Sequence, residues 1–116
     1  VVHGDLKDSN IFVELDPGRA GAHRAKLLDF GLSRVLTKRV KPLGGTLMWA
    51  APEVVDRDLH APMPAADVFS FGRIAYFATT RKRPLEHISD RAMAAIARNS
   101  HVPPLSWPVP SPLTDR

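Results

Sequence analysis

The chain has 116 residues, 44% of them hydrophobic, with a formal net charge of +4. That suits one small soluble domain with a modest core, and no apolar run approaches a membrane span or begins the chain as a signal peptide. The absence of cysteine excludes a disulfide framework and a thiolate metal site, so a reducing, cytoplasmic setting is the expectation, with membrane attachment through segments outside this chain left open.

Val1-Val2 reads as the end of a strand-like segment. Ile11-Phe12-Val13-Glu14-Leu15 is short, apolar and partly β-branched, which predicts a strand. Asp16-Pro17-Gly18 is a turn signal, because proline presets φ and glycine accepts positive φ. Residues 19–24 prolong the turn, and residues 25–28 return as a second strand. Residues 32–50 are polar, basic and glycine-containing, without a sustained period, and read as a loop. Pro52 then opens a short helix, Pro52-Glu53-Val54-Val55, since proline suits a first helical turn. Residues 58–64 form a loop with two prolines.

Residues 65–80 are the most apolar stretch. Val68, Phe71, Ala75 and Ala78 recur at helical spacing, while Phe69, Ile74 and Phe77 cover other sides. A helix apolar nearly all round is expected to be buried, as the central post of the fold. Ser89-Asp90 can cap a further helix over 91–98, with Met93, Ile96 and Ala97 on one face. Five prolines from Val102 onward forbid regular helix. No internal repeat is present. The fold class expected is α+β, mainly helical, with a small β-hairpin, a long loop and a buried central helix.

Two basic runs, Lys38-Arg39-Val40-Lys41 and Arg81-Lys82-Arg83, carry some of the positive excess. The plain reading of each is a solvated face. The sharper readings are an anion site or a grip on an acidic substrate. Neither run has the aromatic interleaving of a single-strand nucleic-acid platform, so no nucleic-acid partner is expected.

Four short stretches carry chemistry. His3-Gly4-Asp5-Leu6-Lys7-Asp8-Ser9-Asn10 offers an acid, a cation and an amide within eight residues. Leu28-Asp29-Phe30-Gly31 places a second acid before Phe-Gly. Ala51-Pro52-Glu53 and Asp67-Val68-Phe69-Ser70-Phe71-Gly72 follow. Alone, an Asp-x-Lys is mostly a surface ion pair and an Asp-Phe-Gly mostly a turn. Together, in this order and at this spacing, they resemble the eukaryotic-type protein kinase domain. Lys7, two residues after Asp5, is the serine/threonine pattern. Gly45-Thr46-Leu47-Met48-Trp49 before Ala50-Ala51-Pro52-Glu53 is similar to the tyrosine-kinase-like group.

The resemblance implies a signalling enzyme that transfers the γ-phosphate of ATP, with Mg2+, to serine or threonine hydroxyls of a protein substrate. Asp5 would be the catalytic base and Lys7 the contact to the transferring phosphate. Asn10 and Asp29 would hold magnesium through oxygen atoms. Residues 32–50 would be the activation segment, with Thr37 as an available hydroxyl and Thr46 bonded to Asp5 and Lys7. His3 and Phe30 would stack, and Ile11, Phe12 and Val13 would lie beneath the adenine. Glu53 would need an arginine partner. Asp67 would accept backbone N–H groups of the catalytic loop, its alternative being a plain acid at a helix N-terminus.

Residues 1–108 would be a partial kinase domain, the middle of the large lobe, and residues 109–116 a proline-rich tail. No glycine-rich phosphate loop, lysine strand or adenine hinge is found in these 116 residues. The missing small lobe of the same domain is therefore an expected partner, and the 116 residues alone are expected to be inactive. The rival is a pseudokinase or truncated binding module that scaffolds without catalysis. Gly4 stands where the resemblance implies an arginine, the residue that would bind a phosphorylated activation segment. Activation-segment phosphorylation is therefore expected to matter less. Full-length protein carrying Thr37→Ala should keep its phosphotransfer rate within about twofold, and a collapse in that rate would contradict the inference.

Overall fold

A computed structural model of the chain describes residues 2–30, 47–55, 64–99 and 102–107. A short 3-10 turn, Asp8–Asn10, leads into strand β1, Ile11–Leu15, which pairs antiparallel with β2, His23–Leu27. The register sets Ile11 opposite Leu27, Val13 opposite Ala25 and Leu15 opposite His23. Three helices follow: α1, Pro52–Val55; α2, Pro64–Thr80; and α3, Asp90–Arg98. Val2 lies outside any strand, so the strand-like reading of the start does not hold there. Val1, the basic run 38–41, Thr37, Thr46, most of 58–64 and the tail 109–116 lie outside the described residues.

The hairpin loop closes by local bonds. The Asp16 carboxylate accepts the Gly18 N–H at 2.9 Å, and the Asp16 N–H donates to the Ala22 carbonyl at 2.8 Å. Gly21 sits at φ 74, a conformation that glycine adopts without a Cβ penalty. β2 begins at His23, two residues before the start expected from apolar content alone. Charge explains the extension. The Glu14 carboxylate faces Arg24 directly at 2.5 Å and Lys26 diagonally at 2.7 Å, on one side of the ribbon. Lys26 first, then Arg24, hold the Glu14 carboxyl below the usual carboxylate range.

Helix α2 meets the loop at His3 and Gly4, the stretch at Met48 and Trp49, and Ser106 with Trp107, but its burial differs from the expectation. Val68 and Phe71 are 70% and 64% exposed, so the apolar stripe read from sequence faces outward. The buried side carries Ala66, Ser70, Arg73, Ile74 and Tyr76. The reason is what packs there. The carbonyls of Met48 and Trp49 meet this face, and a buried carbonyl needs a donor. Ser70 Oγ donates to the Trp49 carbonyl at 2.9 Å, and the Arg73 guanidinium donates to the Met48 carbonyl. Trp49 itself is 2% exposed, edge-on to Phe77 with centroids 5.9 Å apart.

The remaining pieces dock around this post. Tyr76 donates its hydroxyl to the Ser106 carbonyl at 2.9 Å, and Trp107 packs edge-on against the Tyr76 ring. The stretch 102–107 is irregular, as its prolines require. α3 starts at Asp90, capped by Ser89, whose Oγ accepts the Ala92 N–H at 3.3 Å. Met93 is buried, and α3 lies against α1. The side chain of Ala97 falls outside the described set.

Arg73 is an unusual core residue. It is 4% exposed, its guanidinium carbon lies 4.7 Å from the Phe69 ring centroid, and burial pushes its pKa down to about 10. A base whose folded pKa lies below its unfolded value costs stability. That cost is fully present below the folded pKa and fades as pH rises toward the unfolded value. Arg73→Met should therefore stay within about 1 kcal/mol of the natural chain, because removing a buried charge at nearly constant volume offsets the loss of the donor to the Met48 carbonyl. Arg73→Lys should lose about 2 kcal/mol, since a compact, strongly hydrated ammonium stacks poorly on Phe69. Urea unfolding midpoints test this order, and a lysine variant as stable as the methionine variant would overturn it.

Candidate functional site

The site is assembled by hanging one loop from one helix. Asp67, in the first turn of α2, receives the His3 N–H on one carboxylate oxygen at 2.7 Å and the Gly4 N–H on the other at 2.9 Å. Gly4 itself sits at φ 79, in the left-handed region. A side chain there would pay the left-handed penalty of roughly 1–2 kcal/mol. The glycine that looked like a loss of arginine is also the residue whose backbone takes this conformation most easily.

His3 is 5% exposed and joins three parts of the chain. Its Nδ1 accepts the Asp5 N–H at 3.3 Å, which assigns the proton to Nε2, and Nε2 donates to the Leu28 carbonyl at 3.0 Å. The His3 ring also packs against Phe30, centroids 5.0 Å apart and tilted by 56°. A further bond, Leu28 N–H to the Asn10 carbonyl at 2.8 Å, ties the end of β2 to the 3-10 turn. The segment carrying Asp29 is thus attached to the loop carrying Asp5 from two sides. Asp29 has φ 59, a left-handed conformation that is sparsely populated by residues other than glycine and clusters at functional sites.

Within the loop, Asp5, Lys7 and Asn10 meet. Lys7 Nζ lies 2.6 Å from Asp5 Oδ2, with side-chain exposures of 23% and 10%. Asn10 is 7% exposed, and its Nδ2 donates to the Asp5 carbonyl at 2.8 Å and to Asp5 Oδ2 at 3.3 Å. The amide nitrogen being spent on Asp5, the amide oxygen is the end left for another partner. Among the described residues, no three His, Cys, Asp or Glu side chains form a metal cage of their own. An amide oxygen from Asn10 and a carboxylate from Asp29 are hard oxygen donors. Such a pair fits magnesium, which takes few protein ligands and completes its shell with water and phosphate.

The arrangement leaves a carboxylate that can take a proton and a cation that can turn to a developing negative charge. Phe12 is half exposed on β1, with Val13 beside it. Glu53 lies on α1 and makes no ion pair among the described residues. Three features escaped the sequence reading: the positive φ of Gly4, the Arg83–Asp8 pair at 3.2 Å, and the buried donors Ser70 and Arg73. Only Arg73 left a signal, as a charge inside an otherwise apolar helix.

The family model of the protein kinase domain matches residues 1–113. A RAF proto-oncogene serine/threonine-protein kinase of Xenopus laevis is 35% identical over 114 residues, covering 91% of this chain and 17% of the relative. A serine/threonine-protein kinase/receptor of Acanthamoeba polyphaga mimivirus is 31% identical over 112 residues, covering 91% of this chain and 6% of the relative. An L-type lectin-domain containing receptor kinase of Arabidopsis thaliana is 32% identical over 100 residues, covering 83% and 14%. The chain therefore spans less than a fifth of the length of these relatives.

The Asp67 clamp has a measurable weight. Asp67→Ala should cost about 3 kcal/mol, since it strands two backbone N–H groups that bonded a charged acceptor. Asp67→Asn should cost about 1 kcal/mol, because an amide oxygen still accepts one of them. Denaturant unfolding measures both, and an alanine variant within about 0.5 kcal/mol of the natural chain would mean the loop does not hang from α2.

Proposed function

The chain belongs to the protein kinase domain family, and from that premise we propose that this protein transfers the γ-phosphate of ATP to serine or threonine hydroxyls of a protein substrate. In this reading the described residues are the middle of the large lobe, and the nucleotide lies between them and a small lobe. The supporting observation is the meeting of Asp5, Lys7 and Asn10 in one loop, fastened to the segment that carries Asp29.

Asp5 is the base. Its carboxylate accepts the proton of the acceptor hydroxyl as that oxygen bonds to the γ-phosphorus and the bond to the β,γ-bridging oxygen breaks. Asn10 holds this carboxylate in place through the 3.3 Å bond. Lys7 is held beside Asp5 and swings its ammonium to the phosphoryl oxygens, where negative charge spreads in the transition state. Asn10 and Asp29 are the residues that would hold magnesium, which supplies neutralisation of the β- and γ-phosphates when bound. Phe12 presents half-exposed apolar surface to the adenine, and His3 with Phe30 keeps the Asp29 segment in register with the loop. Thr37 and Thr46 are assigned to the activation segment, Thr46 bonding Asp5 and Lys7, and Glu53 to a structural pairing with an arginine. Among the described residues no helix is long and apolar enough to cross a membrane.

Full-length protein carrying Asp5→Asn should lose about 10²–10⁴-fold in kcat, the usual contribution of a positioned base. Asp29→Asn should lose its magnesium-dependent turnover, followed as phosphate transfer to a serine peptide across a magnesium titration. Unchanged turnover in the Asp29 variant would remove Asp29 from the metal site. No transfer by the natural full-length protein would favour the scaffold module instead.

A further inference from the structure

We infer that the turn after α2 reads a negatively charged residue in the protein substrate, close to the hydroxyl that receives the phosphate. The inference rests on the kinase reading above and names its substrate class. Arg81, Lys82 and Arg83 are consecutive and exposed. Arg83 is joined to the catalytic loop, its Nη2 lying 3.2 Å from Asp8 Oδ2. Asp8 follows Lys7, which holds Asp5. Asp5 and Asp8 are three steps apart along the chain, at most ~10 Å, and an extended substrate covers that distance in about three residues.

The turn is a built surface. The Arg81 N–H donates to the Phe77 carbonyl at 2.7 Å. The Lys82 N–H donates to Thr80 Oγ1 at 3.1 Å, and that hydroxyl donates to the Tyr76 carbonyl at 2.7 Å. Pro84 is fully buried and Leu85 nearly so, which anchors the other end. Among the described residues neither Arg81 nor Lys82 has a carboxylate within ion-pair distance. The other charged or titratable groups of this edge are Asp8, already paired, and Glu86 and His87, exposed on the following turn.

Cations at a helix C-terminus also favour the macrodipole, which is the plain account of one of them. That account does not explain Arg81. It sits at φ 59, immediately after the helix, where glycine is the unstrained choice. A long cation held in a strained conformation, beside a second cation without an ion pair among the described residues and next to the loop that holds the base, suits recognition of an aspartate, glutamate or phosphorylated side chain. The shared chemistry is an anionic oxygen group.

The test uses full-length protein, ATP and serine peptides in a neutral host. A single Asp is walked from four residues before the serine to four after. One or two positions should raise kcat/KM about three- to tenfold, mainly through KM, as one or two exposed ion pairs allow. Phosphoserine at the same position should act at least as strongly. The gain should shrink between low and high salt. Arg81→Gln with Lys82→Gln should bring the acidic-to-neutral ratio to about one, and Arg81→Glu with Lys82→Glu should move the preference to Lys at that position. Efficient phosphorylation of the neutral peptide with no gain from any Asp, or an unchanged ratio in the glutamine variant, overturns the inference and leaves the kinase reading standing. No transfer to any peptide overturns both.

Discussion

One carboxylate, Asp67, accepts two neighbouring backbone N–H groups from a segment more than sixty residues earlier in the chain. The loop of His3 to Asn10 has little regular structure of its own, so its conformation has to be imposed from outside. A charged acceptor held in the first turn of a long helix does this well, because hydrogen bonds to an ionised group are stronger than neutral ones. From that anchor the order spreads outward. His3 is oriented by its backbone, its ring then takes the Asp5 N–H and the Leu28 carbonyl, and Asn10 closes the circle on Asp5.

Helix α2 serves as a polar rack as much as an apolar post. Its buried side presents Ser70 and Arg73 to the carbonyls of Trp49 and Met48, while Val68 and Phe71 face out. Buried backbone must find partners, and a loop crossing a helix finds them only in side chains. The same helix therefore holds both the loop of His3 to Asn10, at Asp67, and the stretch leading into Pro52 and Glu53, at Ser70 and Arg73. Two segments distant in sequence are set by one rigid element, which is how a loop-built site gains precision.

The charges divide into three kinds of use. Glu14 with Arg24 and Lys26 sets strand register on an exposed ribbon, where each pair contributes little. Asp5 with Lys7 is a partly exposed pair, close enough for each to hold the other. Asp8 with Arg83 fixes the relation between the loop and the turn after α2. The chain has no cysteine, and among the described residues no three His, Cys, Asp or Glu side chains gather into a metal cage.

By itself the sequence determined the family and the local elements. Motif order and spacing are local records, so four short stretches were enough to place the chain among protein kinase domains, a membership the family match shows. Turn chemistry at Asp16-Pro17-Gly18, proline at Pro52 and the Ser89 cap are likewise decided within a few residues, and those elements stand close to where they were expected. What tertiary structure alone decided is which face of α2 is inside, where β2 begins, and how Gly4 turns. Hydrophobic periodicity counts side chains and not the carbonyls of a crossing loop, so it sent Val68 and Phe71 inward, whereas on the buried face Ser70 and Arg73 meet the carbonyls of Trp49 and Met48. The Asp67 carboxylate that takes the His3 and Gly4 N–H groups lies more than sixty residues from them, and no window of sequence short enough to have a period contains both.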